Sequence, residues 1–334
     1  MKKYNIAVVG ASGMVGGELL HLLETRKFPA GEFYAFNSGR KPAAVRFCGR
    51  SYPCAAPTLA ALKKADIAFF VSTDEVSGRF ARRLAAAGTW CVDDSSRFRL
   101  APGVPLVIPE VNGGELSASR KLIAGPNCTL TGAAVALAGV RRKFGVTELR
   151  LATYQAVSGA GRSAMVRLEE ELRAYLKNGA APALKGGFPR PIAFNLFPQV
   201  GGFDAEGNSA EENKVEGELK KIWGDKKIKI STTAVRVPVL RGHSLAAWFK
   251  TARPCSLAAL KKELGRTPGL KFSARAQAYP TPLENGLRTE VVYAGRLRRA
   301  KTAANEFQLW IVSDNLYKGA ALNSVQIAER IIRL

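Results

Sequence analysis

The chain has 334 residues, 47% of them hydrophobic, so it can bury a sizeable core, and a rough scale of ~150 residues per domain predicts two domains. No apolar run approaches the ~20 residues of a membrane helix, and the opening Met1–Gly10 runs straight into a strand without signal-peptide character, so a cytoplasmic protein is expected. Five scattered cysteines argue against a disulfide framework, and two histidines with no CxxC pair argue against a metal site. The net charge of +23 reads as a basic solvated surface or as attraction to anions.

In chain order, Ile6–Val9 reads as an apolar strand, Met14–Arg26 as a helix and Glu32–Phe36 as a second strand. Asp66–Ser72 is a buried-type strand, Val76–Ala87 a helix, and Trp90–Asp93 and Pro105–Ile108 are short strands. This alternation predicts a parallel, doubly wound sheet. The pattern changes at Cys128. Leu130–Phe144 reads as an Ala-rich helix, Leu149–Val157 as a strand and Arg162–Leu176 as a charged amphipathic helix. Gly- and Pro-rich text fills Gly179–Gly207, and Glu211–Trp223 is a second charged helix. Lys229–Val239, Leu245–Thr251, Glu290–Gly295 and Phe307–Val312 read as strands of one mostly antiparallel sheet, and Ala320–Ile332 as a closing amphipathic helix. The fold class is therefore α/β followed by α+β.

Gly10-Ala11-Ser12-Gly13-Met14-Val15-Gly16 joins the first strand to the first helix. Glycines three apart permit a tight turn and close approach of a pyrophosphate to the helix N-terminus. After the second strand, where NAD sites usually carry an acid, stands Asn37-Ser38-Gly39-Arg40-Lys41. Ser38 and Arg40 suit a 2′-phosphate, so NADP is expected. Either cation taken singly also reads as a solvated loop charge.

Gly125-Pro126-Asn127-Cys128-Thr129 places Cys128 at a helix start, where the dipole favours a thiolate and free N–H groups can hold an oxyanion. An internal cysteine without that context is a small core residue, and Cys48, Cys54, Cys91 and Cys255 are read so. Gln155, in the polar turn through Gly161, could align a carbonyl, and Ser158 and Gly159 could approach a cofactor. His243, in Arg236–Ser244 at a strand junction, is a plausible acid–base; His21 reads as helix packing. The basic clusters Arg141-Arg142-Lys143 and Arg296–Lys301 do not interleave with aromatics, so a nucleic-acid platform is not expected.

These segments resemble the aspartate-semialdehyde dehydrogenase family along essentially the whole chain. Further matching runs are Ser95–Arg99, Pro109–Asn112, Pro198–Gly201, Glu211–Lys214 and Asp314–Asn323. The resemblance implies a Rossmann-type domain over 1–127, completed by 315–334, and a catalytic and dimerisation domain over 128–314. It implies Cys128 as nucleophile, His243 as general acid–base and Gln155 as the residue orienting the acyl group. Arg236 would clamp the substrate carboxylate, Glu211 the ammonium, and Arg99, Asn127 and Lys214 the phosphate, with Asn315 near the nicotinamide. Read alone, Glu211 and Lys214 form a solvated i,i+3 pair, Asn127 a helix cap and Arg99 a surface charge. The chain departs from the family at Gly125, usually Asn, at Arg97, usually Ala, and at Tyr317, usually Arg. Arg97 would either add a cation beside the phosphate set or face solvent. The implied reaction is NADPH-dependent reductive dephosphorylation of L-4-aspartyl phosphate through a Cys128 thioester, by a homodimer. The rivals are a reductase of another acyl phosphate, such as N-acetyl-glutamyl phosphate, and a non-catalytic basic paralogue binding nucleic acid.

Overall fold

The computed structural model describes residues 2–40, 42–180 and 187–334; Lys41 and part of the Gly179–Gly207 text lie outside them. The chain divides into two compact units, Met1–Asn127 with Gly319–Leu334, and Cys128–Lys318.

In the first unit, β1 (Tyr4–Val9), β2 (Ala30–Phe36), β5 (Ile67–Phe70), β6 (Trp90–Asp93) and β7 (Leu122–Ala124) form one sheet in the order β2-β1-β5-β6-β7. Every pairing is parallel. β5 is buried along its whole length, as a strand covered on both faces must be. The chain passes from β2 to the other side of β1, which puts the switch in strand order at the carboxyl end of β1, where open α/β sheets take ligands. A small hairpin, β3 (Ala44–Phe47) and β4 (Arg50–Pro53), packs Phe47 and Tyr52 on Phe33 of β2, with ring centroids 4.7 and 4.9 Å away. The C-terminal helix Leu322–Ile331 returns to this unit. Glu329 pairs with Arg26 at 2.8 Å, and Asn323 Nδ2 donates to the Val107 carbonyl at 2.9 Å.

Pro105–Ile108 is not a strand. Among the described residues it makes a single parallel bridge, Leu106 to Ala124. Prolines at 105 and 109 lack the N–H groups that a longer ladder would use, so pairing stops there.

The second unit holds β8 (Val146–Gln155), β9 (Lys229–Arg236), β10 (His243–Thr251), β11 (Leu270–Phe272), β12 (Val292–Arg299) and β13 (Glu306–Ser313), ordered β11-β12-β13-β10-β8-β9. The three central pairings are antiparallel and the two outer ones parallel. β8 and β9 stop earlier than the apolar text suggests, at Gln155 and Arg236. The backbone leaves the ladder for a 3₁₀ turn at Val157–Ala160 and for the Val237–Val239 bend around Pro238. The long helix Cys128–Phe144 is buried through most of its length against the sheet. Its approach is close: a Cβ at Gly132 would lie 2.8 Å from Ser313 Oγ. The Leu257–Leu264 helix, capped by Ser256 accepting from the Ala259 N–H, was not anticipated from the sequence. At the other end, a π-helical turn, Tyr317–Ala321, replaces the regular first turn expected of the last helix.

Candidate active site

The Gly10–Gly16 loop is built for close backbone approach. Gly10 has φ +95°, a region that L side chains rarely adopt, and a Cβ there would lie 2.3 Å from the Val71 carbonyl oxygen. A Cβ at Gly16 would lie 2.3 Å from the Gly10 oxygen and 2.6 Å from that of Ala11. Gly10 and Ala11 both donate to the Phe36 carbonyl, which ties the turn to the end of β2. Ala11 is buried, whereas Ser12 and Gly13 are exposed at the start of the Met14–Thr25 helix; Met14 and Val15 are half-buried. An exposed turn at a helix start, with glycine at positions 10, 13 and 16, fits close approach of a pyrophosphate. Ser38 and Arg40 are exposed, with the Arg40 N–H donating to Ser38 Oγ at 3.4 Å and no acid between Asn37 and Arg40.

In the second unit, Cys128 is the first residue of its helix, and its Sγ lies 3.5 Å from His243 Nε2. His243 is fully buried at the first position of β10. Its other nitrogen, Nδ1, accepts the Ala156 N–H at 3.0 Å. That bond assigns the tautomer. The neutral ring must keep Nδ1 unprotonated and carry its proton on Nε2, facing the sulfur. Burial, and secondarily the Arg236 charge, depress the imidazole pKa to about 3, so the ring is neutral at ordinary pH.

Register brings these groups together. β10 pairs with β8 so that Ser244 lies opposite Tyr154, and β8 pairs with β9 so that Gln155 lies opposite Arg236. The loop before His243 is fixed by Arg241, whose guanidinium grips the buried Asp314 carboxylate at 2.7 Å, and by the Gly242 N–H donating to Asn315 Oδ1 at 3.0 Å.

Buried polar residues surround the pair. Gln155 Nε2 donates to Glu211 Oε1 at 3.1 Å and to Thr153 Oγ1 at 3.3 Å. Glu211 Oε1 also accepts the Thr129 hydroxyl at 3.1 Å. Arg236 is 5% exposed; one terminal nitrogen donates to the Ala156 carbonyl at 2.7 Å. Its Nε is sealed from solvent and has no hydrogen-bond partner among the described residues. A buried guanidinium with an unused donor is costly by itself and suits an incoming anion. Gly159 faces the same groups: a Cβ there would come 3.0 Å from Arg236 Nη1 and 3.3 Å from His243 Nε2. Ser158 is locked by Asn315, with hydroxyl–amide distances of 3.0 and 3.1 Å.

Sequence reading missed Thr129, Ala156 and Asp314. Thr129 was legible as the neighbour of Cys128. The Ala156 contribution is a backbone N–H, for which no side-chain signal exists.

Lys214 is half-buried one turn after Glu211, on the Ala210–Ile222 helix. In the first unit, Asn127 is buried, and Arg99 Nη2 donates to the Asp94 carbonyl at 2.7 Å. Arg97 is exposed, with its side chain lying over Gly78, where a Cβ would come 3.3 Å from its Nε. Tyr317 is buried, with the Arg241 guanidinium 5.5 Å from its ring centroid. Of the other cysteines, Cys91 is buried with its thiol pKa pushed up by desolvation, Cys48 is exposed, and Cys54 and Cys255 are half-buried. Among the described residues no helix is long and apolar enough to cross a membrane.

Fold and site together define a class: two-domain oxidoreductases built on a dinucleotide-binding sheet. Residues 5–119 match the model of the semialdehyde dehydrogenase NAD-binding domain, and residues 137–318 that of the semialdehyde dehydrogenase dimerisation domain. The chain is 38% identical to the aspartate-semialdehyde dehydrogenase of Shewanella violacea, covering 99% of this chain and 98% of that one. It is 37% identical to that of Aquifex aeolicus with the same coverage. Aspartate semialdehyde dehydrogenase II from Vibrio cholerae superposes with a TM-score of 0.95 at 35% identity, over 99% of both chains. The chain belongs to the aspartate-semialdehyde dehydrogenase family.

Proposed function

We propose that the protein reduces L-4-aspartyl phosphate to L-aspartate 4-semialdehyde, releasing phosphate, with a thioester on Cys128 as the intermediate. The observation that carries this reading is the half-buried Cys128 facing the buried His243, flanked by one buried acid and one buried arginine with an unused donor. A small amino acid with a free ammonium and a free carboxylate needs that combination. A structure of the Vibrio cholerae relative complexed with ASA, at 34% identity, supports the substrate class. An N-acylated substrate has no ammonium for Glu211, which disfavours the N-acetyl-glutamyl phosphate reading.

The chemistry follows from the charges. The helix N-terminus and the neighbouring Arg236 charge favour a Cys128 thiolate, which accepts the Nε2–H of His243. The thiolate attacks the acyl carbon, the carbon–oxygen bond to phosphate breaks, and the departing phosphate takes up the one proton the reaction consumes. Arg99, Asn127 and Lys214 are assigned to that phosphate. A bound nicotinamide dinucleotide supplies the hydride that reduces the thioester. His243 then offers Nε2–H to the oxygen as negative charge develops there. Collapse of the thiohemiacetal anion breaks the carbon–sulfur bond, forms the aldehyde and restores the thiolate. That step needs no net proton, so His243 works as a donor that stabilises charge. Gln155 orients the acyl group, while Ser158, Gly159 and Asn315 shape the turn assigned to the nicotinamide.

NADP is the cofactor we favour, supported by Ser38 and Arg40 and by the missing acid after β2. The free thiols suit a reducing, cytoplasmic compartment. A homodimer is supported by the dimerisation-domain match and by the sheet face carrying half-buried Tyr154, Trp248 and Trp310. One assay tests the core: reduction of NADP or NAD by aspartate semialdehyde, with and without phosphate. Phosphate-dependent turnover that prefers NADP is expected. Turnover without phosphate would reject the acyl-phosphate step, and equal use of NAD would reject the cofactor assignment.

A further inference from the structure

Asp94 follows β6 and is not among the residues assigned above. Its residue is half-buried, but Oδ2 is sealed from solvent and has no hydrogen-bond partner among the described residues. Oδ1 accepts the Ser324 hydroxyl of the C-terminal helix at 2.6 Å. The same oxygen lies where a side chain at Gly125 would stand: a Cβ there would be 2.3 Å from it. Gly125 is one of the three departures from the family pattern, so the carboxyl occupies volume that a larger residue would need. The main-chain oxygen of Asp94 accepts Arg99 Nη2, and the two residues interact electrostatically.

We propose that Asp94 is a positioning residue for Arg99: its carboxyl sets how much positive charge Arg99 presents to the phosphoryl group, and Gly125 is glycine to admit that carboxyl. The proposal rests on the assignment of Arg99 to phosphate. The charged groups acting on Asp94 are Arg99, which favours the carboxylate, and Asp93, which opposes it; the C-terminal helix adds the neutral Ser324 and the turn after β7 the neutral Gly125. Desolvation is the largest influence and lifts the carboxyl to about 7, so it changes charge near neutrality. Below that pH Asp94 is neutral and no longer offsets the charge of Arg99. Above it the carboxylate offsets Arg99 and phosphate binds more weakly.

The test is the phosphate KM of the phosphorylating direction from pH 5.5 to 8.5, in the parent enzyme and in Asp94→Asn. Taking their ratio cancels the ionisation of phosphate itself. The ratio, parent over variant, is expected near one at pH 5.5. It should rise to on the order of fivefold at pH 8.5, with a smaller effect on kcat. Ser324→Ala removes a bond that favours the carboxylate, so it should move the midpoint of the parent profile upward; this variant leaves Asp94 in place should Asp94→Asn fold poorly. A ratio that stays flat with pH, or a midpoint unmoved in Ser324→Ala, overturns the proposal. Arg99→Ala separates the two levels. A raised phosphate KM in Arg99→Ala with a flat Asp94 ratio would reject only the role of Asp94. An unchanged phosphate KM in Arg99→Ala would reject the Arg99 assignment and this inference with it.

Discussion

The neutral His243 gives the sharpest prediction. A depression from 6.5 to about 3 corresponds to roughly 5 kcal/mol against the imidazolium, at 1.36 kcal/mol per unit. At pH 6 only about one ring in a thousand is then protonated. Alkylation of Cys128 by iodoacetamide should therefore follow a single thiol ionisation between pH 4 and 9, with no step near 6.5. Peptide-resolved mass spectrometry is needed, because the exposed Cys48 also reacts. His243→Asn should keep the single-step shape and shift its midpoint upward, since the Nε2–H donor to sulfur is lost. A component near pH 6.5 in the parent that vanishes in His243→Asn would refute the buried neutral tautomer. The same shift has a stability sign. The unfolded chain binds this proton below about 6.5 and the folded chain only near 3. This site therefore removes stability as pH falls through that interval.

Other expectations follow from the same geometry. Cys128→Ser should lower turnover by on the order of a thousandfold or more while the dinucleotide dissociation constant, read by fluorescence titration, stays within twofold. Arg236→Leu should raise the KM for aspartate semialdehyde by about a hundredfold, from about 3 kcal/mol of charge-assisted hydrogen bonding, with a smaller change in kcat. An unchanged KM there would reject the carboxylate clamp. Gly16→Ala puts a methyl 2.3 Å from a backbone oxygen, so it should cost about 1–3 kcal/mol by thermal melting and weaken cofactor binding together. A wild-type melting temperature with normal binding would show that the loop has more room than its geometry states.

Local features were legible. The Gly10–Gly16 loop follows a short apolar strand and opens a helix, and each step depends only on neighbours in sequence. Cys128 was legible because a proline and an asparagine precede an apolar helical run. Pro105–Ile108 misled because apolar content alone does not supply the N–H groups a ladder needs. The Leu257–Leu264 helix was short enough for its periodicity to pass unnoticed, although its Ser256 cap was readable.

The sequence by itself determined two units, a glycine loop shaped for a dinucleotide and a cysteine at a helix start, because chain-local sterics and hydrophobic period decide those. Only the tertiary structure decided what the cysteine faces. Cys128 and His243 are 115 residues apart, and the Ala156 N–H that fixes the ring tautomer is 87 residues from His243. Strand register between β8 and β10 sets the second meeting, and the packing of the Cys128–Phe144 helix on that sheet sets the first. The same holds for Asp94, whose carboxyl meets Gly125 and Ser324 only once the sheet and the returning helix have packed. Side-chain identity can be read along the chain, but burial, tautomer and charge state belong to the neighbours that folding supplies.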